Sequence, residues 1–404
     1  MRAVWRRSLW VVLVVASLSL IVRATLFPTS DPDTGTFHWC LLCGDFGLSD
    51  IIANLILFMP AAFALYGAGW PVRRVVSSLC ALSAAIELAQ LWIPGRESAL
   101  GDIISNTLGA TAGVGLSWWW SRRRRTPAGA AALAVAALAV IAGAGIVLRP
   151  SFPATVYYGQ WTAELGQFDT YHGRVVSADI GGMELPSWKL QDSRTVRARL
   201  ADGDLLVVRA VAGPAPRHLA PLFSIADDLE QGILLTGVDR EDLVLTVRTR
   251  AADLRLRQME LRWPQAMAAV GPGDSFSVAV WRVGKKYCLR LNNRSRCGLT
   301  YATDQVWSLI ASLPGRLAGW ETVAGCVFVA LLGFPVGLLA PRRPPGWIAV
   351  GVLLWGVAFV PPAVGLAPFS VVDAAVLLLS IAAGMLVPMG GSDADHAREG
   401  TLPV

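Results

Sequence analysis

Apolar runs fill residues 8–26, 51–69, 75–93, 103–120 and 128–148, and return at 318–340, 346–366 and 370–388. Each is about 18 residues or longer with at most one interior charge, enough for a helix to cross roughly 30 Å of hydrocarbon. From about 150 to 312 the pattern changes to alternation, in DLLVVRAV, GILLTGV, DLVLTVRTR, DLRLRQMELRW, SFSVAVWRV and KKYCLRL. Such short period-two runs bounded by Gly, Pro, Asp or Asn are half-buried strands, and no long helical pattern separates them. The chain therefore reads as an α-helical polytopic membrane protein of about eight transmembrane helices. An all-β antiparallel sandwich is inserted after the fifth.

Composition supports the spans: 54% of residues are hydrophobic and 16% charged, against roughly 25% charged in soluble domains. The net charge of +6 gathers beside the runs, at Arg2, Arg6 and Arg7, at Arg73 and Arg74, at Arg122 to Arg125, and at Arg342 and Arg343. It is topology information and not a nucleic-acid surface. The basic, apolar N-terminus has no small-x-small cleavage site and reads as a retained span. With a cytoplasmic N-terminus every cluster is cytoplasmic, as the positive-inside rule asks. Segments 27–50, 94–101, 149–317 and the turn near 367 are then outside, the first carrying Asp31, Asp33, Asp45 and Asp50 with no Lys or Arg. The expected division is a four-helix membrane domain at 1–125, a fifth helix at 126–149, the extracytoplasmic sandwich at 150–317, three helices at 318–388 and a disordered cytoplasmic tail at 389–404. The expected location is the inner or plasma membrane.

Four cysteines fall in the outer segments, where disulfides persist. Cys288 and Cys297 flank LRLNNRSR, whose Asn292-Asn293 suits a hairpin turn, so a bridge is expected there. Cys40 and Cys43 form a CxxC that suits a small disulfide. A redox pair or zinc is the alternative, but zinc would need two more ligands and only His38 is near.

Polar residues inside spans are costly and therefore informative. The second and fourth spans both open with Asp-Ile-Ile-x-Asn, setting Asp50 over Asn54 and Asp102 over Asn106, four apart on one helical face. The third ends AAIELAQLWIPGRES, with Glu87 and Gln90 sharing a face near its outer end, Glu87 about six residues inside the span, and Arg96 in the following loop. Ser83 and Ser105 lie at the same level. One reading makes Asp50 and Asp102 helix N-caps and the asparagines interhelical glue. The other makes the group a polar site open to the outer leaflet, with Arg96 or a proton compensating Glu87.

The ordered set Asp50, Asn54, Phe58, Pro60; Glu87, Gln90, Pro94, Gly95, Arg96; Asp102, Asn106, Gly109, Gly113 resembles the VanZ-like membrane family over about residues 10–120. Ala62 departs from the glycine that often follows the proline. The resemblance implies a link with low-level teicoplanin resistance and a grouping with enzymes proposed to act on lipid head groups. Glu87, Asp50 and Asp102 are then the catalytic candidates, and Asn54, Gln90, Arg96 and Asn106 the binding ones.

RARLADGDLLVVRAV, APLFSIAD, DLVLTVRTRAADLRL and GDSFSVAVWRVGKKYCLRLNN resemble a laminin-G or concanavalin A-like jelly roll over about 155–312. That family binds glycans, proteins or steroids, sometimes with calcium, for which Asp227 and Asp228 are the candidates; no other cofactor is expected. Hydrolysis by this segment is not expected, because the E-x-D-x-x-E strand of a retaining glycosidase is missing. Glu184, Asp227, Asp228, Glu230, Asp239, Glu241 and Asp242 sit near turns. Trp161, Trp188 and Trp281 are sugar-stacking or core residues, and His172 and His218 show no partner.

The leading expectation is an envelope protein whose polar bundle meets membrane lipids or lipid-linked glycans, while the lectin-like sandwich binds glycan or protein. Glu87 is then the general acid or base and Arg96 the phosphate ligand. The alternative is a non-catalytic receptor or scaffold whose sandwich does the recognising. A transporter ranks third, since no broken helices recur in matching halves.

Overall fold

The computed structural model describes residues 2–28, 37–162, 168–311, 320–342 and 344–388, with backbone alone at 2–7 and 344–345. The expectations for Asp31, Asp33, Arg343 and the tail 389–404, and for the side chains of Arg2, Arg6 and Arg7, lie outside the described residues.

The first half is helical: α1 (Arg2–Leu26), α2 (Gly47–Gly67), α3 (Val72–Gln90), α4 (Leu100–Arg122) and α5 (Pro127–Val147). Two short strands, β1 (Phe37–His38) and β2 (Ser98–Ala99), pair in parallel and bring the segments before α2 and α4 together. α5 starts where a helix should: the Thr126 hydroxyl accepts from the Gly129 amide at 3.1 Å and Pro127 occupies the first turn, where its missing N–H costs nothing.

α2 and α4 pack backbone to backbone. A Cβ at Gly109 would overlap the Leu55 carbonyl oxygen, and one at Gly113 the Met59 carbonyl oxygen. Small residues four apart give this approach, which takes the place of the hydrophobic effect between helices in lipid. Ile21, Phe58, Leu65, Leu79, Ile86 and Ala110 close a core belonging to α1–α4 alone.

The β unit follows: β3 (Tyr157–Trp161), β4 (Arg174–Ile180), β5 (Met183–Glu184), α6 (Ser193–Asp202), β6 (Leu206–Val211), β7 (Ala220–Asp227), β8 (Gly232–Asp239), β9 (Asp242–Val247), the helical turn α7 (Arg250–Asp253), β10 (Glu260–Trp263), β11 (Ser275–Val283), β12 (Lys286–Leu291) and β13 (Arg294–Leu299). They form two antiparallel sheets, ordered β10-β9-β8-β7-β3 and β13-β12-β11-β6-β4-β5. Inward residues of both, such as Leu243, Leu245 and Leu261 on one and Val208, Val278 and Leu289 on the other, share one core. As expected, Asn292 takes a left-handed conformation (φ 51°) in the turn between β12 and β13, and Cys288 and Cys297, opposite each other in register, are bonded.

Two segments depart from the all-β expectation. RARLAD lies in α6, although Val196, Ala198 and Leu200 alternate as in a strand. The Asp192 side chain accepts from the Thr195 amide at 3.0 Å, and Gly203 closes the helix in the left-handed conformation (φ 82°), so the caps override the alternation. In DLRLRQMELRW only the last four residues are strand, and Arg250–Asp253 form α7.

A 3-10 turn (Thr303–Leu309) leads towards α8 (Glu321–Leu339), α9 (Pro344–Val364) and α10 (Val371–Leu386). All eight expected spans are helical. Five helices, Ser8–Leu26, Gly47–Gly67, Pro127–Val147, Glu321–Leu339 and Gly346–Val364, are long and apolar enough to cross a membrane, and α10 is a shorter apolar helix. Asp373 is the acid of the eighth span and lies at its start. It is the third residue of α10, in a reciprocal capping box with Ser370. The core of the β unit runs on through Ile141 of α5, Val336 of α8 and Leu377 of α10.

Candidate functional site

Asp50 and Asp102 fall in the first turns of α2 and α4, but the caps are Phe46 and Ala99, so neither aspartate is the N-cap. They sit where a helix dipole favours negative charge. Asn54 bridges helices instead of serving its own: its amide donates to Asp102 Oδ1 at 2.8 Å. Asn106 donates to the Ser83 hydroxyl at 2.9 Å, tying α4 to α3. Ser105 turns back to the Asp102 carbonyl of its own helix.

α3 ends at Gln90, so Glu87 lies in its last turn and not six residues deep. It is nonetheless buried, at 3% exposure. Its Oε2 accepts from the Ala99 amide at 2.9 Å, while the Ser98 hydroxyl donates to the Glu87 carbonyl. The β1–β2 bridge thus positions the site's floor. Glu87 interacts electrostatically with Asp102, and Asp102 with Asp50 and Glu97.

Arg96 does not compensate Glu87. Its guanidinium donates to the carbonyls of Ala24 and Phe27 at 2.8 Å each, covering the acceptors left open at the end of α1. Gln90 donates to the Thr25 carbonyl at 2.9 Å. The expected phosphate ligand and one expected binding amide therefore fasten α1 to the end of α3 and the loop after it.

The cation that reaches the cluster comes from the β unit. Arg257 Nη2 lies 3.1 Å from Asp50 Oδ1, with the guanidinium 4.8 Å above the Phe46 ring. Its amide donates to the Ser49 hydroxyl at 2.9 Å, and that hydroxyl donates to the Leu309 carbonyl at 2.7 Å. Arg255 reaches the Leu42 carbonyl at 2.6 Å. Leu42 belongs to the loop closed by the Cys40–Cys43 disulfide, and the Gly101 amide donates to Cys40 of that loop. Sequence reasoning missed Arg255 and Arg257; two arginines spaced two apart in a run read as one strand were the available signal.

Residues 4–121 match the VanZ/LLP1 family model. The match covers α1–α4, the helices that carry every polar residue of the cluster except Arg257, and we refer to them as the VanZ-like bundle. No curated protein and no solved structure matches the chain.

Beside the junction a cavity of about 1530 Å³ opens along the five-stranded sheet. It extends from Gln160 and Thr246 to Phe46, Arg255, Arg257 and Trp307. The acids of this region are largely engaged. Arg262 binds Asp239 at 2.7 Å and Glu260 at 2.7 Å, with Asp242 at 3.7 Å. Asp227 accepts from the amides of Leu229 and Gln231 and faces the buried Arg248 at 4.0 Å, while Asp228 is exposed. No cluster of three metal-binding side chains occurs among the described residues. Glu184, Glu230 and Glu241 are exposed, as are His172 and His218. Trp161 donates to the Leu185 carbonyl at 3.0 Å against the core, Trp281 lies under Arg290, and Trp188 is 75% exposed.

Proposed function

We propose that the chain is a VanZ-like integral membrane protein of the cell envelope whose polar helix end binds, and acts on, lipid head groups or lipid-linked glycans at the outer leaflet. Glu87 is the observation that carries this. It is a buried carboxylate that accepts from the Ala99 amide through Oε2, beside Asp102, which in turn faces Asp50. A carboxylate is retained in such a place at a cost that structure alone does not repay. Such a carboxylate is suited to take or give a proton as general base or acid, with Asp50 and Asp102 assisting. In this reading both termini are cytoplasmic. The β unit lies outside as a lectin-like, concanavalin A-like sandwich that holds glycan or protein.

Glu87→Gln in the full chain tests it, with lipid composition and glycopeptide sensitivity followed in cells. The expected result is loss of every change that the wild-type chain produces. Wild-type behaviour from a stable, inserted variant would sink the proposal.

A second reading has its own observation. Asn54, Gln90, Arg96 and Asn106 all bond to neighbouring helices, as they would in a non-catalytic receptor whose β unit does the recognising. In that case Glu87→Gln is silent and loss of the groove residues is not.

A further inference from the structure

Arg257 is shared between two surfaces. One Nη binds Asp50 of the VanZ-like bundle, and the same side chain lines the wall of the groove in the β unit. We propose that this end of the groove is a binding site for a phosphate-bearing lipid head group, which takes Arg257 in exchange for Asp50. The proposal rests on the preceding one for the membrane source of the ligand, and its geometry stands apart from Glu87.

The pair is built for exchange. The side chains of Arg257 and Asp50 keep 29% and 47% of their surface in contact with solvent, so water screens the attraction and the bond is weak. A guanidinium offers a planar fork that fits two phosphate oxygens at once, a better match than its single contact with Asp50. Phe46 holds the guanidinium from one face in either state.

Charge along the groove selects the place. Arg262 is neutralised by Glu260 and Asp239, and Arg248 by Asp253. Arg255, two residues from Arg257, donates to the Leu42 carbonyl and pairs with no acid among the described residues. Asp45 and Glu321 on the same stretch of wall are exposed. Arg240 and Arg296 also line the groove, but of the groove arginines only Arg255 and Arg257 bond to the bundle side of the junction among the described residues. Glu321 opens α8, one of the membrane-length helices, so this end of the groove lies where a lipid can place its phosphate while its chains stay in hydrocarbon.

The exchange has a thermodynamic signature that a structural ion pair lacks, because removing the competing carboxylate must strengthen ligand binding. Native mass spectrometry of the full chain, titrated with phosphatidylglycerol and separately with glycerol 3-phosphate, reads it. Arg257→Gln should weaken phosphatidylglycerol binding at least tenfold, and Arg255→Gln by less. Asp50→Asn should tighten it several-fold, and Arg209→Gln, on the other sheet, should leave it unchanged. Should Arg257→Gln fail to fold, Arg257→Lys keeps the charge, loses the fork and should bind more weakly than wild type. Binding of phosphatidylglycerol without glycerol 3-phosphate supports the lipid source; equal binding of both overturns it in favour of a soluble phosphate. Wild-type affinity in Arg257→Gln, or weaker binding in Asp50→Asn, overturns the site itself. The cellular effect of Glu87→Gln is read apart from phosphatidylglycerol binding by Arg257→Gln, so loss of this site leaves the reading of Glu87 standing.

Discussion

The VanZ-like bundle and the rest of the molecule are held together on different terms. α1–α4 enclose their own core around Phe58, Leu79 and Ile86. The core of the β unit is continuous with α5, α8, α9 and α10. Where the two bodies meet, polar contacts recur: Ser49 to Leu309, Arg257 to Asp50, Arg255 to Leu42. Leu48, Ile52 and Trp119 of the bundle also pack against the larger core, and the hydrogen bonds, each of modest net worth, set how the bodies face each other. The same packing device serves both. Gly109 and Gly113 admit the α2 backbone, and Gly337 and Gly384 let α8 and α10 meet equally closely. Both pairs start on acids, Glu321 and Asp373 in the second, but in the first an asparagine of one helix bonds the aspartate of the other, so the close approach is architecture and the cross-helix polar bond is what distinguishes the bundle.

The largest effects should come from the glycine contacts. Gly109→Val and Gly337→Val are each expected to cost about 3 kcal/mol of stability, since the added Cβ meets backbone that cannot step aside. If the cores are independent, the double variant should lose the sum within about 0.5 kcal/mol in a denaturant titration of the full chain. A larger departure would merge the two bodies. Next, Cys288→Ser with Cys297→Ser should cost about 2–3 kcal/mol by freeing the hairpin. Thermal melts should show the loss in the β unit, with protease resistance of α1–α4 unchanged. Smallest are the polar links. Asn54→Ala should cost about 1 kcal/mol by leaving Asp102 short of a donor inside the bundle. Arg257→Gln, at the exposed junction, should cost no more than about 0.5 kcal/mol. The reverse order would make the junction the stronger joint.

Much of this was legible in the sequence. Apolar runs located all eight helices to within a few residues. Cys288 and Cys297, around an Asn-Asn turn, announced their own bridge. The repeated Asp-Ile-Ile-x-Asn brought the right residues to one level because helical spacing fixes which side chains share a face. What spacing cannot give is the partner on another element. Asn54 bonds Asp102 and not Asp50, Arg96 covers the end of α1 and not Glu87, and Asp50 meets an arginine 207 positions away. α6 was missed because its alternation is genuine, and only the caps at Asp192 and Gly203 show that the helix wins.

Arg125 carries a consequence for the order of assembly. Its guanidinium donates to the carbonyls of Ala340, Met385 and Val387, at the ends of α8 and α10. It leaves the ribosome more than two hundred residues before any of these acceptors exists. During synthesis it must therefore wait in water or among lipid phosphates until α8 supplies the first acceptor and α10 the other two. Closure of the C-terminal helices is in this way reported to a residue of the first half, by a clasp that engages only once the described chain has been made.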